Sequence, residues 1–256
     1  MPGAGDNSGD VHELALLLRQ SPSVVAFTGA GVSTLSGIPD FRGPDGLYRR
    51  VDADRIFDVD GFWADPAYFY GESRDFIYAM DGCEPSVVHR VLAGLEAQGL
   101  LDGVVTQNID MLHQRAGSRT VVELHGSPSW HGCRECPGGA PYAAVAPVVR
   151  AGGVPRCDRC GAVLKPGITF FGELLPPGAF ERAGALAAGA DLLLVLGSTL
   201  LVQPAASLPL LTLRGGGRVA VINRGATPLD GMAVWRSDDL EDAFTELSAA
   251  LRLEAS

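Results

Sequence analysis

The chain has 256 residues, of which 46% are hydrophobic, so it can bury one large core or one core with a smaller satellite. Its 30 acidic and 20 basic residues give a formal net charge of -10, which argues against a protein that binds nucleic acid through a basic surface. An acidic chain does suit a partner that carries lysine-rich segments.

Residues 1–10 are polar and glycine-rich, without a basic start or an apolar core, and we predict a disordered tail that is not a secretory signal. The expected location is the cytoplasm. The uncharged run 192–213 has about the length of a membrane span, but glycine and proline residues interrupt it. We interpret this run as a strand, a loop and a helix, and we expect no membrane partner. The sequence leaves the oligomeric state open and is compatible with a monomer.

A first helix is predicted to begin after Asp10, a good N-cap, because apolar residues then recur at helical spacing until about Pro22. Five apolar runs predict buried strands at 24–27, 103–105, 121–124, 192–196 and 219–222. Each run ends in polar residues or glycine. Because ligands bind outside the carboxyl ends of the strands in an open parallel sheet, we expect the five endings to converge on one crevice.

Helical periodicity at 85–98 and 180–188 alternates with these strands, which indicates an α/β fold with a Rossmann-like, doubly wound parallel sheet. Two stretches interrupt the alternation. The aromatic-rich stretch 45–82 predicts a helical insertion, and the stretch 130–165 is too short and loop-rich to fold without a metal or a cross-link. We therefore divide residues 11–256 as follows: a Rossmann-like part at about 11–45, 99–129 and 166–256, a helical insertion at about 46–98, and a cysteine-containing module at about 130–165.

The cysteines of this module form two pairs, Cys133-x-x-Cys136 and Cys157-x-x-Cys160, with 20 residues between them. This spacing matches the zinc-ribbon pattern, in which each pair supplies two thiolates to one tetrahedral ion. Four thiolates leave no open position for water or substrate, so we expect one structural Zn2+ ion. The alternative is a set of free or redox-active thiols. Cys83 stands apart from both pairs.

Small residues follow the first predicted strand in the run Gly29-Ala30-Gly31, where they let the backbone approach a pyrophosphate. An ordinary dinucleotide-binding fingerprint has a third glycine at position 34, but this residue is Thr34. The ordinary fingerprint therefore fails. The run 36–42 that follows combines apolar, acidic, aromatic and basic residues, and predicts a loop that can close over a bound cofactor.

Residues 29–33 and 36–42 together resemble the signature loop of the sirtuins, and Thr106-Gln107-Asn108-Ile109-Asp110 is similar to their second motif. Further motifs follow in the family's order: His125-Gly126, the two cysteine pairs, Phe171-Gly172-Glu173, Gly197-Ser198-Thr199 and Val221-Ile222-Asn223. The resemblance covers about residues 12–225. It implies an NAD-dependent protein lysine deacylase, which transfers the acyl group to ADP-ribose and releases nicotinamide and free lysine. The implied partners are proteins or peptides with an acylated lysine.

The resemblance also implies which residues contact NAD. Those that hold the dinucleotide are Gly29, Ala30, Gly31, Ser33, Gln107, Ile109, Gly197, Ser198, Thr199 and Asn223. Ile38, Asn108 and Asp110 line the pocket for nicotinamide and its ribose, and Asn108 is also catalytic. Asp40, Phe41 and Arg42 lie in the mobile cofactor loop, where Phe41 shields the reactive ribose carbon.

His125 resembles the family's general base, which acts on a ribose hydroxyl. Of the five histidines, His125 alone ends an apolar strand at the expected crevice, and a neutral imidazole can accept a hydroxyl proton. The segment 166–173 resembles the one that pairs with the substrate peptide, with contacts from Ile168, Thr169, Phe170, Phe171 and Gly172. The alternative for this segment is a plain core strand, and one of the two phenylalanines is expected to pack inward.

Some positions depart from the family pattern. Arg224 stands where an acidic residue is common, and the segment 235–239 matches the adenine-side segment poorly, so no adenine contact is assigned. Sirtuins that favour succinyl or malonyl groups carry a Tyr-x-x-Arg pair, because a guanidinium can clamp the extra carboxylate. Here Ser73 has that spacing from Tyr70, and Arg74 comes one residue later, so we favour acetyl or other neutral acyl groups.

Two other interpretations stay open. One is NAD-dependent ADP-ribosyl transfer, or NAD hydrolysis, in the same pocket. The other is a non-catalytic scaffold whose zinc module binds DNA or protein. The few basic residues in the module and the acidic chain argue against DNA.

Overall fold

The computed structural model describes residues 10–40, 46 and 52–253, without the side chains at positions 53 and 54. The predicted disordered tail, apart from Asp10, lies outside the described residues. So do Phe41 and Arg42 of the predicted cofactor loop. The domain boundaries given above stay a prediction, although the described elements bear on them below.

A six-stranded parallel sheet forms the larger part of the fold, with the strand order β3-β2-β1-β7-β8-β9. Its strands are β1 Val24–Thr28, β2 Gly103–Thr106, β3 Val121–Glu123, β7 Leu192–Leu196, β8 Arg218–Ile222 and β9 Trp235–Ser237. All five predicted strands are confirmed. The sixth, β9, is not predicted, because three residues are too few to show a periodic pattern.

Helices cover both faces of this sheet, which confirms the doubly wound fold. On one face lie α1 Val11–Gln20, α6 Val87–Ala97 and α11 Leu240–Leu251, and on the other lie α9 Ala179–Gly189 and α10 Leu208–Arg214. Alternate strand residues feed the two cores, as a pleated strand requires: Ala26 faces one helical layer and Phe27 the other. Helix α6 packs in the first of these cores and so lies with the larger part of the fold, although the predicted helical insertion at about 46–98 includes it.

The smaller part combines both insertions. Its antiparallel sheet, ordered β5-β4-β6, consists of β4 Gly126–Cys133, β5 Gly139–Pro141 and β6 Leu164–Ile168. Its helices are α3 Ala53–Ile56, α4 Val59–Ala64, α5 Pro66–Ser73, the 3-10 helix Ile77–Gly82 and α8 Tyr142–Arg150. One core joins them, since Phe62 and Tyr70 pack with Leu164 and Phe170. The small sheet also extends beyond 130–165 at both ends.

In the described part of the chain, no helix is both long and apolar enough to cross a lipid bilayer.

Candidate active site and zinc site

The loops after β1 and β7 touch at the carboxyl edge of the large sheet. The Gly29 amide donates to the Leu196 carbonyl (2.9 Å), and the Gly31 amide donates to the Gly197 carbonyl (3.0 Å). A Cβ atom on Gly31 would lie 2.6 Å from the Gly197 Cα atom, and Gly197 itself has φ +60°. Any larger residue at either position would push the two loops apart. The predicted glycines therefore allow the loops after two neighbouring strands to contact each other backbone to backbone.

A buried polar network follows β2 and reaches the loop after β1. The Asn108 side-chain amide donates to the Gly29 carbonyl and to Ser33 Oγ, both at 3.0 Å. Ser33 Oγ in turn donates to Asp110 Oδ2 (2.6 Å). The other carboxylate oxygen of Asp110 accepts from the Leu112 amide (2.9 Å), at the start of the short helix α7 Leu112–Arg115. Three predicted site residues, Ser33, Asn108 and Asp110, are thus held in one fixed arrangement.

Burial raises the pKa of Asp110, and the hydrogen bonds from Ser33 and Leu112 oppose this effect. The two hydrogen bonds explain how a carboxyl group is accommodated in a buried position. Its oxygens are both engaged, so Asp110 acts here as an anchor for Ser33 and, through Ser33, for the Asn108 amide.

A pocket lies over this network. Its lining residues are Ala30, Ser33, Ile38, Pro39, Phe57, Phe76, Met80, Asn108, Ile109 and Asp110. Most of the wall is apolar, and the polar side chains of Ser33, Asn108 and Asp110 lie together. Sequence reasoning misses Phe57, Phe76 and Met80, which the helical insertion contributes. The many aromatic residues of the insertion are a signal for the two phenylalanines, although they do not indicate which rings face the pocket, and the sequence gives no signal for Met80.

His125 lies between β3 and β4, at the edge predicted for it. Its Nδ1 atom is 2.8 Å from the backbone carbonyl oxygen of Gln107. A carbonyl oxygen can only accept, so in the neutral imidazole Nδ1 carries the proton and Nε2 carries the lone pair. Burial lowers the pKa of His125, and the hydrogen bond to Gln107 opposes this effect. The neutral form, able to accept a proton at Nε2, therefore prevails at neutral pH.

The remaining predicted NAD residues lie along the same edge. The Gln107 side-chain amide donates to Ser198 Oγ (2.8 Å), which joins the ends of β2 and β7. Thr199 is exposed next to the buried Ser198. Beyond β8, the Asn223 amide donates to the Ser237 carbonyl (3.1 Å), and the neighbouring Arg224 is exposed. Half-buried Asp40 is the last described residue of the predicted cofactor loop that precedes Phe41.

The predicted peptide segment links His125 to the helical insertion. The Thr169 amide donates to the His125 carbonyl (2.8 Å), the Phe171 amide donates to the Phe57 carbonyl (2.6 Å), and the Val59 amide donates to the Phe171 carbonyl (3.1 Å). Phe170 is buried in the small core, whereas the Phe171 side chain is 49% exposed. The expectation that one of the two rings packs inward is confirmed.

The four paired cysteines meet beside the small sheet. Their Sγ atoms all lie within 4.8 Å of one another, although the two pairs are far apart in sequence. Four thiolates at this separation fit one tetrahedral zinc ion and fill its coordination shell, as expected for a structural site. Cys83, which is half-buried, is not part of the cluster.

Comparisons with known proteins agree with this geometry. The sequence model of the Sir2 family matches residues 29–204. A protein of Thermotoga maritima named NAD-dependent protein deacetylase is 46% identical over 223 residues, which cover 87% of this chain and 90% of that protein. A structure of Sir2 with deacetylated p53 peptide and 3'-O-acetyl ADP ribose superposes with TM-score 0.90 at 40% identity, covering 96% of this chain and 100% of that chain. A Sir2 complex with p53 peptide and NAD+ gives TM-score 0.88 at 40% identity, with the same coverage.

Zinc analysis of the purified protein tests the cysteine cluster. We expect one zinc ion per chain, and we expect Cys160→Ser to lose it, because three thiolates bind the ion more weakly than four. Loss of several kcal/mol of folding free energy should lower the melting temperature by about 10 °C in a chain of this size. Cys83→Ser is the matched control and should keep both values. Full zinc content in Cys160→Ser, or a zinc-free wild type, would instead support free thiols.

Proposed function

The chain belongs to the Sir2 family, and we propose that it is an NAD-dependent protein lysine deacetylase. Acyl-lysine, NAD and water are converted into lysine, nicotinamide and acyl-ADP-ribose. The observation that carries this proposal is the state of His125: its Nδ1–H donates to the carbonyl of Gln107, the residue before Asn108 of the pocket, and its Nε2 lone pair is left to act as a base.

The crevice between β1, β7 and β8 suits an extended dinucleotide. Gly29, Gly31 and Gly197 bring the loops after β1 and β7 together, and main chain with small residues suits the approach of a pyrophosphate. Ser198, held by Gln107, and Asn223 lie farther along the same edge. NAD supplies nicotinamide as the leaving group and a ribose as the acyl acceptor.

The pocket beside Asn108 excludes water from the bond that breaks. Ile38, Phe57 and Phe76 provide apolar walls, and a dry pocket strengthens the effect of the few dipoles inside it. Positive charge develops on the ribose carbon as its bond to nicotinamide breaks, and the acyl oxygen of the substrate forms the new bond to that carbon. Ser33 and Asn108 cannot reorient in response, because their hydrogen bonds hold them, and such fixed dipoles cost no reorganisation during the reaction.

His125 is the general base in this scheme. Its Nε2 atom accepts a proton from a ribose hydroxyl, whose oxygen then bonds to the acyl carbon. The amine of lysine leaves, the ribose carbon keeps the former acyl oxygen, and water supplies the oxygen that replaces it on the acyl carbon. The imidazolium that results is stabilised at Nδ1–H by the Gln107 carbonyl. The same residue, Gln107, therefore orients the base through its backbone and Ser198 through its side chain.

The acyl-lysine peptide binds along the segment 168–172. Ile168 and Phe170 have buried side chains, so a peptide at this segment would meet its main chain rather than these two side chains. The exposed Phe171 side chain adds an apolar contact. Main-chain pairing demands little of the peptide sequence, which suits an enzyme with many protein substrates. A cytoplasmic location remains part of the proposal, because five unpaired cysteines suit a reducing compartment.

Nicotinamide release from NAD, with and without an acetyl-lysine peptide, tests the proposed function. We expect release that requires the peptide and falls by at least about a hundredfold in His125→Ala, as is typical for loss of a general base. The kcat/KM value should decline on the acid side with a midpoint below pH 6.5, since burial lowers the pKa of His125 below that ordinary value. Release without peptide would favour ADP-ribosyl transfer or hydrolysis. No release with any acyl peptide would favour the scaffold.

The acyl preference follows from Tyr70 and Arg74. The Tyr70 hydroxyl is buried and donates to the Leu164 carbonyl (2.5 Å), so it is engaged within the small core. Arg74 is 45% exposed and pairs with its neighbour Asp75 (3.0 Å). Ser73, at the spacing of the carboxylate clamp, is buried and cannot supply a positive charge. We therefore propose that the enzyme prefers acetyl or other neutral acyl groups.

Matched acetyl and succinyl peptides of one sequence test this preference. We expect kcat/KM to be at least about tenfold higher for the acetyl peptide, because Ser73, at the spacing of the clamp, cannot offset the cost of desolvating the succinyl carboxylate. Arg74→Ala should change neither value by more than about twofold, as expected for an exposed side chain. A loss of succinyl activity in Arg74→Ala, or equal use of both peptides, would contradict the proposal.

A further inference from the structure

The only lysine of the chain, Lys165, lies on β6 beside the peptide segment. Its side chain is only 12% exposed. The ammonium nitrogen donates to the Ile168 carbonyl (2.9 Å), the Pro166 carbonyl (3.3 Å) and Glu173 Oε2 (2.8 Å). These three acceptors match the three protons of an ammonium group. The nitrogen also lies 4.0 Å from the centroid of the Phe170 ring.

Glu173, at the other end of the segment, pairs with the same ammonium group of Lys165. Its Oε2 atom accepts from the Phe170 amide (2.8 Å) as well as from Lys165, and its own amide donates to the Phe170 carbonyl (3.0 Å). Gly172 makes the return possible, because it adopts φ +92°, a conformation that favours glycine. Lys165 and Glu173 thus close the segment between them into a loop. We name this pair the clasp.

The clasp encloses the residues that border the active site. Within the loop, Thr169 bonds the His125 backbone, and Phe171 bonds the backbone of Phe57 and Val59. The main chain of the loop is therefore hydrogen-bonded to His125 on one side and to the helical insertion on the other. The clasp fixes the conformation of the loop, because Lys165 donates to two carbonyls of the loop and Glu173 accepts from the Phe170 amide.

We propose that Lys165 and Glu173 are positioning residues that hold the segment 168–172 in the shape that pairs with the acyl-lysine peptide. This inference rests on the proposed function, from which the peptide role of the segment comes. Lys165 lies behind the loop and takes no part in the chemistry. A buried ammonium is costly unless its protons are all paired, and the acceptors given by the loop meet that requirement.

The order of the loop can be measured without catalysis. In hydrogen exchange with mass spectrometry, we expect the peptide that covers 166–174 to exchange at least about tenfold faster in Lys165→Met, which removes the ammonium donor from two carbonyls and from the Glu173 carboxylate. Lys165→Arg, which keeps the charge and the donors, should stay within about threefold of wild type. Glu173→Gln keeps an acceptor for the Phe170 amide and should lie between the two. Wild-type exchange in Lys165→Met would overturn the proposal.

The sole lysine gives a second readout. In protein labelled with 15N-lysine, a single side-chain signal reports Lys165. We expect an unlabelled acetyl-lysine peptide to shift that signal, because pairing of the peptide with the loop alters the carbonyls that accept hydrogen bonds from Lys165. An unshifted signal would show that the clasp and the peptide site are uncoupled, and it would contradict the proposal.

Kinetics separate positioning from general stability. We expect Lys165→Met to raise KM for the acetyl peptide by about tenfold and to change KM for NAD by less than about twofold. Its kcat should stay within about threefold of the wild-type value. Lys165→Arg should restore the KM for the peptide. Equal rises in both KM values with a lower melting temperature would show a merely structural role. If wild type itself turns over no peptide, the proposed function fails, whereas unchanged loop exchange in Lys165→Met overturns the clasp by itself.

Discussion

The arrangement of the proposed active site depends on the close contact between two backbones, at Gly31 after β1 and Gly197 after β7. The strands are hydrogen-bonded neighbours, and their loops have no side chains that would separate them. The contact places the first turn after β1 where Ser33 can meet Asn108 from β2. Main chain and small residues, rather than a set of charged side chains, thus form the edge that is proposed to receive a dinucleotide.

Gln107 connects the parts that face this crevice. Its side chain holds Ser198 at the end of β7, its carbonyl holds the proton of His125, and its amide donates to the Thr28 carbonyl at the end of β1 (3.0 Å). The position of the proposed base is therefore coupled to the edge that is proposed to receive NAD. The His125 carbonyl in turn accepts from the Thr169 amide, so the predicted peptide segment is connected to Gln107 through His125.

The sequence predicts those features that local pattern determines. Apolar runs reveal five strands, cysteine spacing reveals the zinc site, and the position of His125 after a strand places it at the crevice. Features that depend on packing between distant segments are not predictable in this way. Phe57 and Met80 line the pocket, α6 joins the large core, and the two insertions share one core, because side chains far apart in sequence meet there. The clasp of Lys165 and Glu173 likewise depends on a turn at Gly172 that no periodicity indicates.

Calorimetric titration with NAD of Gly31→Ala, compared with Gly71→Ala, tests most directly whether the contact between the two loops creates the site. A Cβ atom at position 31 meets the backbone of Gly197, whereas at position 71, an exposed helical glycine, nothing lies within 4 Å. We expect Gly31→Ala to weaken NAD binding by at least about tenfold, or 1.4 kcal/mol, while it keeps its zinc and its folded circular dichroism spectrum. Gly71→Ala should bind NAD as wild type does. Wild-type affinity in Gly31→Ala would contradict the account.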